Sequence, residues 1–314
     1  MILFAAISVL FVQGMLSSVS RAENLTAITW AHAVNSQELL TTTLASSIDM
    51  IEADIVLGHL INNPSGPTIP VMGHPPANTS DISLNDFLWQ IFNYNKHNSE
   101  KMKGIKLDFK STEVFSGSLT MLNEMWGRMN YPVWLNADII SGPVDSTGVP
   151  VDANSFLSDC RHFPGAVLSI GWTTRWGADF TEGSYTDAQI AGMSSAIRDN
   201  GIPASNHPIT FPVRAGIAAQ SQTQLAKLVR EFNQTNTVTL TIWSSENDRV
   251  DVRKLRELIF DVGIDKVYVD VPKDLMDQLD LGNHSNNAKK LPELTFISFF
   301  CLFLAIFISH FLSE

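Results

Sequence analysis

The stretch "MIEADIVLG", residues 50–58, reads as a strand with a charged face. Its β-branched and apolar residues, closed by glycine, suit a buried strand, yet Glu52 and Asp54 stand two apart and so point to one side. A second stretch repeats the pattern. In "GIKLDFK", residues 104–110, Lys106, Asp108 and Lys110 share a face. Strands covered by helices are expected to be apolar on both faces, and an unpartnered buried charge is costly. These two strands therefore mark a place where chemistry shapes the sequence.

Working outward, the apolar runs "AITWAH", "PVWLNADII", "AVLSIGW", "HPITFPVRAG", "TVTLTIWSS" and "KVYVDVP" complete a set of eight strands. Between them lie amphipathic segments of helical length, several opened by a Ser, Thr or Asp able to cap: "SQELLTTTLAS", "SLNDFLWQIF", "SGSLTMLNEMWGRM", "DANSFLSDCRHF", "TDAQIAGMSSAIRDN", "SQTQLAKLVREF" and "DVRKLRELIFDVG". Strand and helix alternate without an internal linker, so residues 23–281 are expected to form one α/β domain, a (β/α)8 TIM barrel. An open doubly wound sheet is the alternative, but no Gly-rich phosphate loop follows the first strand.

The chain has 314 residues, 45% of them hydrophobic, and a formal charge of −11. A phosphate backbone would be repelled, and no Lys/Arg cluster offsets that, so nucleic acid is excluded as a partner. Residues 1–22 have the apolar run and small-residue ending of a signal peptide, with an uncleaved anchor as the alternative. At the other end, residues 282–293 read as a polar stalk with a possible GPI-attachment site at Ser285 to Ala288. Residues 294–312 are a hydrophobic anchor or GPI signal; nothing basic follows them, as it would after most stop-transfer helices. The expected destination is the extracellular face of the plasma membrane. Sequons at Asn24, Asn78, Asn233 and Asn283 agree with N-glycosylation there. The two cysteines are Cys160 and Cys301, the second in the apolar tail, so no internal disulfide is expected and Cys160 reads as a small buried hydrophobe.

Carboxylates this close repel one another unless a cation compensates. A divalent ion shared by Glu52, Asp54 and Asp108 is the economical answer, and all-oxygen ligation favours Ca2+ or Mg2+. His32 ends the first strand in "ITWAHAVNS", and His74 follows a short apolar run in "PVMGHPP". In a barrel both would reach the face onto which strand C-termini open, where one could take a proton and the other give one. Asn136 and Asp138 alternate on the fourth strand, and Arg214 ends the sixth. All three are candidates for the same pocket.

Together, the strand-terminal His32, "EADI", "GH" and "KLDFK" resemble the phospholipase C-like phosphodiesterase superfamily. More closely, "ITWAHAVNS", "MIEADI", "MGHPP", "GIKLDFKS" and "PVWLNADII" resemble the menorin family, from Ile28 to about Pro272. The resemblance implies a phosphodiesterase-type barrel with metal ligation by Glu52, Asp54 and Asp108, acid and base roles for His32 and His74, phosphate contact by Lys110, and a pocket wall at Trp243. It also implies an extracellular ligand or adhesion cofactor in neuronal dendrite patterning, with an adhesion molecule and a neuronal receptor as partners. One departure weighs on turnover: the diesterases follow the first histidine with Arg, and here Ala33 stands in that place. Pro75, not an acid, likewise follows His74. The expected role is accordingly the surface ligand on a metal-binding barrel. The alternative is an active metal-dependent phosphodiesterase for a glycerophosphodiester or phospholipid headgroup. A glycosidase-like barrel built on paired carboxylates would give the histidines and Lys110 no work.

Overall fold

The computed structural model describes residues 24–282. The proposed signal peptide, the stalk from residue 283 on, the sequon at Asn283 and the apolar tail with Cys301 lie outside the described residues. In chain order the strands are β1 (Trp30–Ala31), β2 (Met50–Leu60), β3 (Ile69–Met72), β4 (Thr79–Ser80) and β5 (Gly104–Phe109). They continue with β6 (Val133–Ile140), β7 (Val167–Trp172), β8 (Ile209–Arg214), β9 (Val238–Trp243) and β10 (Val267–Asp270). The sheet runs β1-β2-β5-β6-β7-β8-β9-β10, with every neighbouring pair on this path parallel. These eight are the eight strands read from the sequence, wound as a nearly closed α/β barrel.

The closure is the unexpected part. Among the described residues no ladder joins β1 to β10. Three contacts cross that seam instead: the Leu25 N–H donates to the Ile264 carbonyl (2.9 Å), the Trp30 and Tyr268 rings meet edge-on with centroids 6.1 Å apart, and His32 Nδ1 lies 2.8 Å from Asp270 Oδ2. The strands β3 and β4 were not evident in the sequence. They pair with the far half of the long β2, β3 antiparallel to it and β4 parallel.

The helices are α1 (Gln37–Leu44), α2 (Leu84–His97), α3 (Thr112–Trp126), α4 (Ala153–Cys160), α5 (Asp187–Asp199), α6 (Ala215–Ala218), α7 (Gln222–Phe232), α8 (Val252–Val262) and α9 (Lys273–Leu279). Six begin on a side chain that accepts the third helical N–H: Ser36, Ser83, Ser111, Asp152, Thr186 and Asp251. Each such cap contributes about 1 kcal/mol. The helix expected to begin at Ser116 instead starts from the Ser111 cap directly after β5. Among the described residues no helix is long and apolar enough to cross a membrane.

Alternation along the strands divides the core in two. One set, including Ile51, Ala53, Ile55, Ile105, Leu107, Phe109, Leu168, Ile170, Phe211, Val213, Leu240 and Ile242, is at most 1% exposed and packs beneath the helices, as in the Phe109–Phe115–Phe156 cluster. The other set faces the lumen and is largely polar, which corrects the expectation of strands apolar on both faces. Ser169 donates to Asn136 Oδ1 (2.5 Å), and the Thr210 and Thr241 hydroxyls pair at 2.7 Å. Polar side chains that satisfy one another can be buried at little cost. The lower lumen is filled by rings: Trp134 lies 5.2 Å from Trp30 and 4.8 Å from Tyr268, both edge-on. Cys160 is buried and free.

Candidate functional site

Strand register assembles the acidic cluster. Glu52 pairs with Lys106, Asp54 with Asp108, and Asp108 with Asn136, so adjacent strands bring charged side chains level on one face. Glu52, Asp54 and Asp108 each offer an oxygen, and these oxygens lie within 4.8 Å of one another. Each carboxylate is held from behind. The Ala33 N–H donates to Glu52 Oε2 (2.7 Å), Asn35 Nδ2 to Asp54 Oδ2 (2.7 Å), and Asn136 Nδ2 to Asp108 Oδ1 (2.7 Å). Ala33 adopts φ +53°, a left-handed conformation that costs an alanine about 1–2 kcal/mol. In return its N–H meets Glu52.

The lumen is short of positive charge. Around the cluster five carboxylates, Glu52, Asp54, Asp108, Asp138 and Asp270, face Lys106, Lys110 and the His32 ring. The cluster could hold a metal ion: three converging carboxylate oxygens, two of them on buried residues, suit a hard divalent cation. Lys110 Nζ lies 2.6 Å from both Asp54 Oδ1 and Asp108 Oδ2, bridging two of the three donors. Burial works against charge on Asp108, but Lys110 and Lys106 outweigh it and hold its pKa down. Glu52 goes the other way, raised by burial and by its acidic neighbours against the pull of His32 and Lys106. Burial also lifts Asp138 to about 7, with Asp108 adding to it.

The two histidines reach one cavity of about 820 Å³ at the mouth of the barrel. His32 is half-exposed, and its Nδ1 is bound by Asp270, with Glu52 Oε2 at 3.6 Å. Burial alone would favour the neutral ring; Glu52 and Asp270 outweigh it and raise the pKa to about 9. His74 is exposed, and its Nδ1 lies 2.8 Å from the Pro75 carbonyl. Each ring thus spends Nδ1 on the protein, and both residues line the cavity with Nε2 making no hydrogen bond among the described residues.

The remaining candidates separate. Asn136 bridges Asp108 and Ser169, whereas the Asp138 carboxylate lines the cavity without a hydrogen bond among the described residues. Arg214 binds Asp248 through Nε and Nη2 (2.8 and 2.9 Å) and covers the Trp243 ring at 4.9 Å, so it fixes that wall. Four contributors escaped the sequence reading as site residues: Asp270, Asn35, Lys106 and the exposed Arg175. Asp270 carried a signal, since the alternation in "VYVD" places it on the same face as Tyr268. A second cavity of about 500 Å³, beside Asp248 and Lys273, shows no such convergence.

Fold and site define an α/β barrel with a cation-competent acidic cluster and two histidines at its C-terminal mouth. The model of the Menorin N-terminal domain matches residues 24–276, spanning the whole barrel. Human Protein FAM151B is 36% identical over 235 residues, which cover 74% of this chain and 78% of the human protein. The chain belongs to the menorin family.

Proposed function

We propose that this chain is a divalent-cation-dependent phosphodiesterase, using Ca2+ or Mg2+, that acts outside the cell on a glycerophosphodiester or phospholipid headgroup. The observation that carries this reading is His32, oriented by Asp270 and adjacent to the Glu52–Asp54–Asp108 cluster. Glu52, Asp54 and Asp108 would hold the cation, which when bound supplies charge stabilisation to phosphoryl oxygens. His32 and His74 line the cavity, and Nε2 of one would take the proton of the attacking hydroxyl while that of the other protonates the leaving oxygen. A neighbouring substrate hydroxyl as nucleophile would give a cyclic product. Trp243, backed by Arg214, walls the pocket, and Lys110 keeps two of the ligating carboxylates in place. The test is release of alcohol from glycerophosphodiesters by the full chain loaded with Ca2+ or Mg2+. Turnover lost in His32→Ala and Glu52→Gln supports the reading, and a metal-loaded wild type that cleaves no diester overturns it.

A second reading, the dendrite-patterning ligand with an adhesion partner and a neuronal receptor, draws on Asn78. That sequon is exposed four residues past His74, where a glycan would crowd a bulky substrate. Exposed Asn24 and Asn233 suit the same extracellular setting. Receptor-bearing cells that bind His32→Ala as well as wild type would support it. Anchoring by GPI predicts release from cells by a phosphatidylinositol-specific phospholipase; retention would favour a single-pass helix.

A further inference from the structure

We infer that Lys106 is the side chain that grips a phosphoryl oxygen of the ligand, deep in the lumen. This rests on the phosphodiester reading above and adds to it the residue that compensates for the missing arginine at Ala33.

Four basic side chains besides the histidines line the cavity: Lys106, Lys110, Arg175 and Arg214. Two are committed. Lys110 bridges Asp54 and Asp108, and Arg214 is locked on Asp248. Arg175 sits exposed at the rim. Lys106 differs from all three: it is 3% exposed, yet among the described residues it makes no ion pair within 4.0 Å and no hydrogen bond. Glu52 and Asp108 feel its charge without touching it.

An ammonium group has three donors and no acceptor. Lys106 lines the cavity with those donors uncommitted to the protein. A compact acceptor entering the cavity can take them, and an anionic phosphoryl oxygen gives a charge-assisted bond of the strong kind. Register places Lys106 beside Glu52 and one residue pair below Asp54 and Asp108. Lys106 would therefore meet a bound phosphoryl group from the deeper side, beside Glu52 and below Asp54 and Asp108.

The experiment titrates inorganic phosphate into the full chain, purified in detergent and saturated with Mg2+, by calorimetry. Lys106→Met should weaken phosphate binding at least tenfold while Mg2+ affinity holds or rises, because one cation has left the carboxylates. Misfolding cannot produce those opposite changes, and Lys106→Gln repeats the test should the Met variant fail to fold. Phosphate binding by Lys106→Met within threefold of wild type overturns the inference. A wild type that binds Mg2+ but no phosphate overturns this inference, while the phosphodiesterase reading falls only if the metal-loaded chain cleaves no diester. A wild type that binds phosphate through Lys106 but cleaves no diester supports the inference and overturns only that reading.

Discussion

His32 and Asp270 join the two ends of the barrel: Nδ1 and Oδ2 lie 2.8 Å apart on segments that share no ladder. One hydrogen bond thus serves both as a seam and as the orienting contact of a candidate acid–base group. Asp270→Ala should lower stability by about 1 kcal/mol, since a charge-assisted bond to a half-exposed ring is partly screened. It should also cut kcat with little change in KM. Thermal melting and steady-state kinetics check the two halves, and unchanged kcat would leave Asp270 a purely structural residue.

The pH dependence of stability follows from two raised pKa values. His32 rises from 6.5 to about 9 on folding, so its contribution is whole below 6.5 and is lost as pH climbs through about 9. Asp138 rises from 3.8 to about 7, so the folded carboxyl keeps a proton that the unfolded chain has released, and stability falls across that interval. Metal-free protein should lose stability over both windows. Asp138→Asn should flatten the lower one and be more stable than wild type at pH 8; His32→Gln should flatten the upper. Calorimetric melts in chelator across this range test both slopes.

Cation removal should have an inverted signature in the cluster variants. Ca2+ or Mg2+ at a hundred times its Kd should add about 2.7 kcal/mol to wild type, and chelator should remove it. Glu52→Gln should lose that increment but be no less stable than wild type in chelator, because it relieves the negative surplus around a buried carboxyl. Equal melting shifts in wild type and Glu52→Gln would place the cation elsewhere.

The Arg214–Asp248 pair is buried, with side chains 13% and 2% exposed. Removing the acid in Asp248→Ala strands a guanidinium against Trp243 and should cost about 3–5 kcal/mol. Trp243 loses its backing at the same time, so urea denaturation and tryptophan emission should change together.

Much of the barrel was legible because its strands carry two superposed signals: apolar residues on one face for the helices, and charged or hydroxyl residues on the other. The pairs Glu52/Asp54 and Asp108/Lys110 announced a shared face because strand periodicity is two. The excursion through β3 and β4 was not legible, since strands of four and two residues broken by prolines leave no periodic pattern. Spacing also could not distinguish Lys106 from Lys110. Both alternate on β5 and its edge; which ammonium its neighbours consume depends on where Asp54 lies across the ladder. The His32–Asp270 bond spans 238 residues, a separation at which local sequence carries no pairing information.

The packed rings of Trp30, Trp134 and Tyr268 make the lumen a cul-de-sac. A ligand enters and leaves such a site by the same opening. On the diesterase reading, the fragment held deepest leaves last and must wait for the outer one to clear. Product inhibition would then be competitive for the inner fragment, an order of release set by the shape of the barrel before any chemistry begins.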